Sequence, residues 1–241
     1  MRKKKNERRQ KLILNAELIS IVIPVYNEAE SLPSLFKRLF PVMNSYTHEI
    51  IFINDGSNDN SLEILEHEQK NNSCMKVIDM HGNYGQHKAI MKGFENAEGS
   101  LIITMDADLQ NPPEEVPRII EQYEHGHDVI GTIRMNRHDT FFRKTASRIV
   151  NCITNIITGF NIHDYGCMLR GYSREIVKGI LGYKDEDIFI PALAQRLAHN
   201  PVEINIAHSE REYGESKYNL HRLIKLFMSL IKTAYIVRRR S

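Results

Sequence analysis

Five short apolar runs, rich in β-branched residues, recur through the first half of the chain at residues 19–25, 49–54, 75–80, 101–105 and 128–133. Their starts lie about 25–30 residues apart, the length of one strand-plus-helix unit. The segments between them carry helical spacing. Residues 31–40 set Leu32, Leu35, Phe36 and Leu39 on one stripe. Residues 61–68 follow Asn58, read as their cap, and residues 86–97 align Ala89, Ile90, Phe94 and Ala97. Alternating strands and helices predict an α/β fold: a mainly parallel central sheet with helices on both faces. No repeat or low-complexity linker interrupts the pattern. Residues 18–218 therefore read as one domain, between a basic tail at 1–17 and a terminal segment at 219–241.

After Arg134 the pattern changes. Residues 141–159 read as a helix that mixes Phe142, Ile149, Ile153 and Ile157 with Arg143, Lys144 and Arg148. Residues 164–172 read as strand or loop, 174–181 and 190–198 as helices, and 202–207 as a strand. The last segment sets Leu220, Leu223, Ile224, Phe227, Leu230, Ile231 and Ala234 on one face, with Arg222, Lys225 and Lys232 off it. Such a helix packs on the body or lies in a membrane interface.

Charge sharpens that choice. The net charge is only +2, but residues 1–11 carry +6 and Arg238, Arg239 and Arg240 add +3, leaving −7 on residues 12–237. An acidic body with basic ends argues against nucleic acid, which selects a basic face. Basic ends suit an anionic membrane surface, at about 1 kcal/mol per Lys or Arg; taken alone they also read as solvated tails. Cys74, Cys152 and Cys167 are scattered and form no C-x-x-C pair, so a zinc site or disulfide framework is not expected and a reducing compartment fits. No signal-peptide pattern is visible, and no apolar run approaches the roughly 18 residues of a membrane span. The expectation is a chain peripheral to the cytoplasmic face of a membrane. Its pattern leaves the oligomeric state open, a homo-oligomer included.

The candidate chemistry gathers at strand ends. The fourth run leads into Thr104-Met105-Asp106-Ala107-Asp108-Leu109-Gln110-Asn111-Pro112-Pro113. Asp106 and Asp108 are two apart, so an extended backbone points both to one side. Paired carboxylates repel unless a positive charge joins them, and a hard divalent cation such as Mg²⁺ or Mn²⁺ takes oxygen ligands of this kind. Gln110 continues the alternation and offers a third oxygen. Asn111 reads as the cap of a helix whose first turn holds Pro112, Pro113, Glu114 and Glu115. A bare Asp-x-Asp would read as a solvated loop; the flanking strand, Gln110 and Pro-Pro favour a cation site. The first run ends in Pro24-Val25-Tyr26-Asn27-Glu28 and the second in Asn54-Asp55-Gly56-Ser57. Asp55 suits hydrogen bonds from a base or ribose, and the Tyr26 ring suits stacking on a base. Gly82-Asn83-Tyr84-Gly85 after the third run is a weaker signal. Neither a P-loop nor a dinucleotide fingerprint is present.

Together these residues resemble a known family. Val22-Ile23-Pro24-Val25-Tyr26-Asn27-Glu28, Asn54-Asp55-Gly56-Ser57 and Asp106-Ala107-Asp108-Leu109-Gln110 are similar to the family 2 glycosyltransferases of GT-A fold. Asp-Leu-Gln-Asn-Pro-Pro narrows this to the polyprenyl-phosphate group that includes dolichol-phosphate mannose synthase. The resemblance continues through 164–170 and 211–217 and covers about residues 18–235. A narrower likeness, to transferases of 4-deoxy-4-formamido-L-arabinose onto undecaprenyl phosphate, is carried by 83–87, 142–147 and 164–170. Members of that subgroup continue into two membrane spans, which this chain does not include.

The resemblance implies a nucleotide pocket at Pro24, Tyr26, Glu28, Asp55, Gly85 and Asp106, and a Mg²⁺ or Mn²⁺ site at Asp106, Asp108 and Gln110. It implies acceptor or diphosphate contacts from Arg134, Arg143, Arg211, Ser216 and Lys217, and an active-site acid at Asp164, with Asp108, Asp164, Arg143 and Arg211 as the catalytic set. The substrates implied are a UDP-sugar and a polyprenyl phosphate, joined by an inverting transfer. Glucose, mannose or N-acetylhexosamine are alternatives for the sugar. A non-catalytic nucleotide-sugar sensor and a basic-tailed membrane-binding protein are alternatives of another class. Many members carry Asp where this chain has Asn54, so a carboxylate role at that position is lost.

Overall fold

The computed structural model describes residues 18–135, 162–183 and 189–209. The tail at 1–17, the helix expected at 141–159 and the segment at 219–241 lie outside the described residues. β1 (Ile19–Val25) runs through the middle of a seven-stranded sheet. It pairs in parallel with β2 (His48–Asn54) on one side and with β4 (Leu101–Thr104) on the other, and β3 (Met75–Asp79) adds in parallel outside β2. Beyond β4 come β6 (Arg170–Ser173), β5 (Val129–Arg134) and β7 (Pro201–Ile206), so the order is β3-β2-β1-β4-β6-β5-β7. β5 and β7 are parallel, while β6 runs antiparallel to both β4 and β5. The expectation of strand or loop over 164–172 resolves into both, a loop to Leu169 and then this reversed strand.

Alternation along the strands splits the core in two. Ile19, Ile21, Ile23 and Val25 of β1, with Ile50 and Phe52 of β2, face α1 (Leu32–Met43), α2 (Ser61–Asn71) and α4 (Val116–Glu124). Val22, Ile51, Ile53 and Ile102 face α3 (Gln86–Asn96), α5 (Arg174–Leu181) and α6 (Ile190–Leu197). The side-chain period of two thus builds helices on both faces, as expected. α3 sits especially close: a Cβ on Gly93 would lie 2.3 Å from Val22 Cγ1, so only glycine lets this helix reach the sheet.

Several boundaries differ from expectation, three of them with a clear physical cause. α1 runs through Pro41 to Met43, because fully buried Met43 holds the last turn on the core. Asn58 does not cap α2; its N–H donates to Asn27 Oδ1 at 2.7 Å, while Asp59 Oδ1 takes the Ser61 N–H at 3.0 Å. Asn111 does not cap the helix after β4. Pro112 precedes a short 3₁₀ turn at Pro113–Glu115, and buried Asn111 instead accepts a hydrogen bond from Cys167 Sγ at 3.4 Å.

Candidate active site

The chain leaves β1 for β2 and β3 on one side and returns to β4 on the other. The C-terminal ends of β1 and β4 therefore border the crevice where open α/β sheets bind ligands. Pro24 occupies a central strand without breaking it. Met105 N–H bonds to Val22 O at 3.1 Å and Asp55 N–H to Val25 O at 2.8 Å, so the Pro24 nitrogen faces the β4 side, past the end of that ladder. The missing donor costs no sheet bond, and the ring is buried at the crevice floor.

The loop after β1 is fastened to the loop after β2. Asn27, at φ +53°, donates its N–H to Ser57 Oγ (3.0 Å), Glu28 N–H to Ser61 Oγ (2.9 Å) and Ala29 N–H to Asp59 Oδ2 (3.1 Å). Tyr26 and Glu28 are half-buried on this rim. Asp55 is buried, and its Oδ1 and Oδ2 accept the N–H groups of Tyr84 (2.7 Å) and Gly85 (2.9 Å). Burial pushes its carboxyl above the ordinary range, and the two N–H groups oppose that push. Gly56, at φ +67°, lies against the next loop: a Cβ there would stand 2.4 Å from the Gly82 carbonyl carbon. Asn54, buried, donates Nδ2 to Asp79 Oδ1 at 2.8 Å and accepts the Ser57 N–H at 3.2 Å. An aspartate at 54 would instead repel Asp79, which gives the asparagine a reason here.

The acidic loop departs from an ideal strand. β4 ends at Thr104, and Leu109 adopts φ +61°, a left-handed conformation unusual for a bulky side chain. Burial of Met105, Ala107 and Leu109 fixes the loop from below, so Asp106, Asp108 and Gln110, all half-buried, stay together on the opposite side. The alternation read from sequence is preserved, but by packing and backbone strain rather than by extended backbone. Such strain collects at functional sites. Asp108 Oδ1 takes the Gln110 N–H at 3.2 Å, and Gln110 O takes the Ser209 N–H at 3.0 Å.

Burial first, and then the charge of Asp108, push the Asp106 carboxyl up to about 7, with Glu28 adding to the rise. Arg134 and a 2.6 Å hydrogen bond from Gln86 Nε2 work the other way. Two carboxylates under mutual repulsion form an oxygen donor set of the kind a hard cation relieves, so the residues fit a divalent ion. Among the described residues no three His, Cys, Asp or Glu side chains converge, and Gln110 offers a further oxygen beside the pair.

A pH dependence follows. Between its ordinary value of 3.8 and about 7, Asp106 binds a proton in the folded chain that it lacks when unfolded. The metal-free protein therefore loses stability as pH rises through that window. Because the cation displaces the proton, Mn²⁺ affinity should rise over the same window and level off above about 7. Unfolding and Mn²⁺ titrations between pH 5 and 8.5, with Asp106→Asn flattening both trends, check this.

Arg134, at the end of β5, meets Asp164 in a two-pronged ion pair, Nε to Oδ2 at 2.7 Å and Nη2 to Oδ1 at 2.9 Å. Asp164 also takes the Gly166 N–H at 3.1 Å, and its backbone oxygen accepts from Arg170 Nη2. These donors fix the buried Asp164 carboxylate, and through its two-pronged pair Asp164 holds the Arg134 guanidinium in place. Arg170 also donates Nε to Cys167 O at 2.8 Å, and Thr132 Oγ1 donates to Leu169 O at 2.6 Å. Glu203 pins the loop start by accepting from the His163 N–H and ring. Arg143, Arg211, Ser216 and Lys217 lie outside the described residues. Asp79 and Glu203 escaped the sequence reading, and Gln86 and Arg170 stood in it only as members of the stretches 83–87 and 164–170. Gln86 carried no chemical signal of its own there.

Comparisons with known proteins agree with this layout. The structure is similar to glucosyl-3-phosphoglycerate synthase from Mycobacterium tuberculosis in complex with Mn²⁺, UDP and glucosyl-3-phosphoglycerate (TM-score 0.70, 15% identity, covering 95% of this chain and 82% of that one). The same enzyme with Mn²⁺ and UDP-glucose gives a TM-score of 0.69 at 15% identity, again over 95% and 82%. These likenesses show the fold, GT-A. In sequence the chain is 49% identical over 216 residues to the undecaprenyl-phosphate 4-deoxy-4-formamido-L-arabinose transferase of Serratia proteamaculans (strain 568), covering 88% of this chain. It is 49% identical over 217 residues to the protein of that name from Photorhabdus laumondii subsp. laumondii, also over 88% of this chain. It spans 66% of the length of each. The model of the glycosyl transferase family 2 matches residues 20–181, most of the described sheet and its first five helices, and the chain belongs to that family.

Proposed function

We propose that the chain is the catalytic part of an inverting glycosyltransferase that moves a sugar from a UDP-sugar to undecaprenyl phosphate, with 4-deoxy-4-formamido-L-arabinose as the sugar. The observation that carries this reading is the 49% identity over 88% of the chain to transferases of that name. The crevice chemistry supports it. Pro24, Tyr26, Glu28, Asp55 and Gly85 surround the nucleotide, and Asp106, Asp108 and Gln110 hold Mg²⁺ or Mn²⁺. A bound cation of this kind offsets the charge that develops on the departing diphosphate.

The acceptor needs no strong base, because the second pKa of a phosphate ester is about 6 and its oxygen is already anionic at neutral pH. The new bond forms between that oxygen and the anomeric carbon, on the face opposite the breaking bond to the diphosphate, so the configuration inverts. The remaining difficulty is to bring two anions together. Arg134, oriented by Asp164, and Arg143, Arg211 and Lys217 neutralise the acceptor, and Ser216 donates a hydrogen bond to it. The basic ends and the apolar stripe of 219–241 bring the site to the lipid, at the cytoplasmic face of the membrane.

The test is product analysis with a panel of UDP-sugars, a short polyprenyl phosphate and Mn²⁺. One sugar should appear on the lipid with inverted anomeric configuration, and chelation of the metal should stop transfer. UDP binding with no transfer from any donor would leave a nucleotide-sugar sensor instead.

A further inference from the structure

Asp55 and Asp106 follow different strands, β2 and β4, yet one short piece of chain touches both. Tyr84 and Gly85 give their backbone N–H groups to the two oxygens of Asp55, and the next residue, Gln86, gives Nε2 to Asp106 Oδ1. The piece is held at each end. Before it, the Gly82–Asn83 backbone lies so close to Gly56 that a Cβ there would stand 2.6 Å from Asn83 N. Within it, Gly85 takes φ +93° and starts α3, and α3 is seated on β1 through Gly93. The Gln86 backbone is therefore located by Asp55 on one side and by the sheet on the other.

The residue type matters. A lysine reaching Asp106 would neutralise it and compete with a cation, and a glutamate would add a third negative charge. A neutral amide orients the carboxylate while leaving its charge intact. Ligands of a metal are commonly held in this way by a second layer of hydrogen bonds.

We propose that Gln86 is a positioning residue: it sets the Asp106 carboxylate for the cation and, through Tyr84 and Gly85, ties that carboxylate to the nucleotide pocket at Asp55. This rests on the reading of Asp106 and Asp108 as cation ligands. UDP, which spans both carboxylates, should sense the loss of Gln86 only when the cation is present. Uridine lacks the diphosphate and should not sense it.

The full chain is titrated calorimetrically with UDP, with and without Mn²⁺, and with uridine alone. In Gln86→Ala the Mn²⁺-dependent affinity for UDP should fall about 10-fold to 100-fold, as for other second-layer partners of a metal. Uridine affinity should stay within about twofold, and the urea midpoint should be unchanged. Gln86→Glu, equal in length but without the donor, should lose at least as much. Unchanged Mn²⁺-dependent UDP binding in Gln86→Ala would overturn the assignment. So would a parallel loss of uridine binding, which marks a collapsed loop. If the unaltered chain binds UDP equally with and without Mn²⁺, the cation reading itself fails, and the assignment with it.

Discussion

Asp108→Ala should abolish Mn²⁺-dependent UDP binding and lower sugar transfer by about 10³-fold or more, while leaving the fold intact. The size follows from what the carboxylate does. It is one of two anionic ligands, and without it the cation that offsets the leaving diphosphate is not held; electrostatic stabilisation of this type is commonly the largest single contribution to a transfer reaction. The fold should survive, because Asp108 is only half-buried and its Oδ1 takes a local N–H, that of Gln110 at 3.2 Å. Buried Ala107 and Leu109 hold the loop from below. Removing the charge also relieves Asp106, whose rise is partly due to Asp108, so the high carboxyl value near about 7 should drop toward the ordinary range. Calorimetry with UDP and Mn²⁺ reads the first effect and thermal unfolding the second. Undiminished Mn²⁺-dependent binding would sink the metal assignment.

Asp164→Ala should destabilise the chain by about 3 kcal/mol, because removing one partner of a buried pair leaves the other charge stranded. The side chains of Arg134 and Asp164 are only 13% and 4% exposed, so water makes up little of the loss. The same substitution removes an acceptor from the Gly166 N–H. A second effect concerns the site. Arg134 already acts on Asp106 through its charge, and a guanidinium released from Asp164 should lean further toward the acidic pair and compete with the cation. Urea unfolding measures the first effect and Mn²⁺ titration the second. The pair Asp164→Leu with Arg134→Met should recover most of the stability, since apolar replacement of both partners is close to neutral. A double variant as unstable as the single one would show that the ion pair is not the cause.

Much of this site stood in local sequence. Asp106, Asp108 and Gln110 were read on one side from their spacing, and their burial pattern keeps them there. Pro24 and Asp55 were placed at strand ends, where the sheet puts them. The misreadings share a physical origin. Asn58 and Asn111 look like helix caps because asparagine caps locally, but each found a partner far along the chain, Asn27 and Cys167. Gln86 looks like an ordinary helix start, because its partner Asp106 is twenty residues away. The ion pair of Asp164 with Arg134 spans thirty residues, so no local pattern signals it.

The sequence by itself determined the alternation of strands and helices, the two faces of the sheet, the acidic loop after β4 and the family. Each of these is written in residue type and periodicity over a few neighbours, where side-chain direction follows directly from the backbone. Only the tertiary structure decided that β6 runs backwards between β4 and β5, that Asp55 holds the loop carrying Gln86, and that Asp164 holds Arg134. Those facts depend on contacts between distant segments, whose energies are fixed by burial and charge after the chain has closed. No local pattern records them.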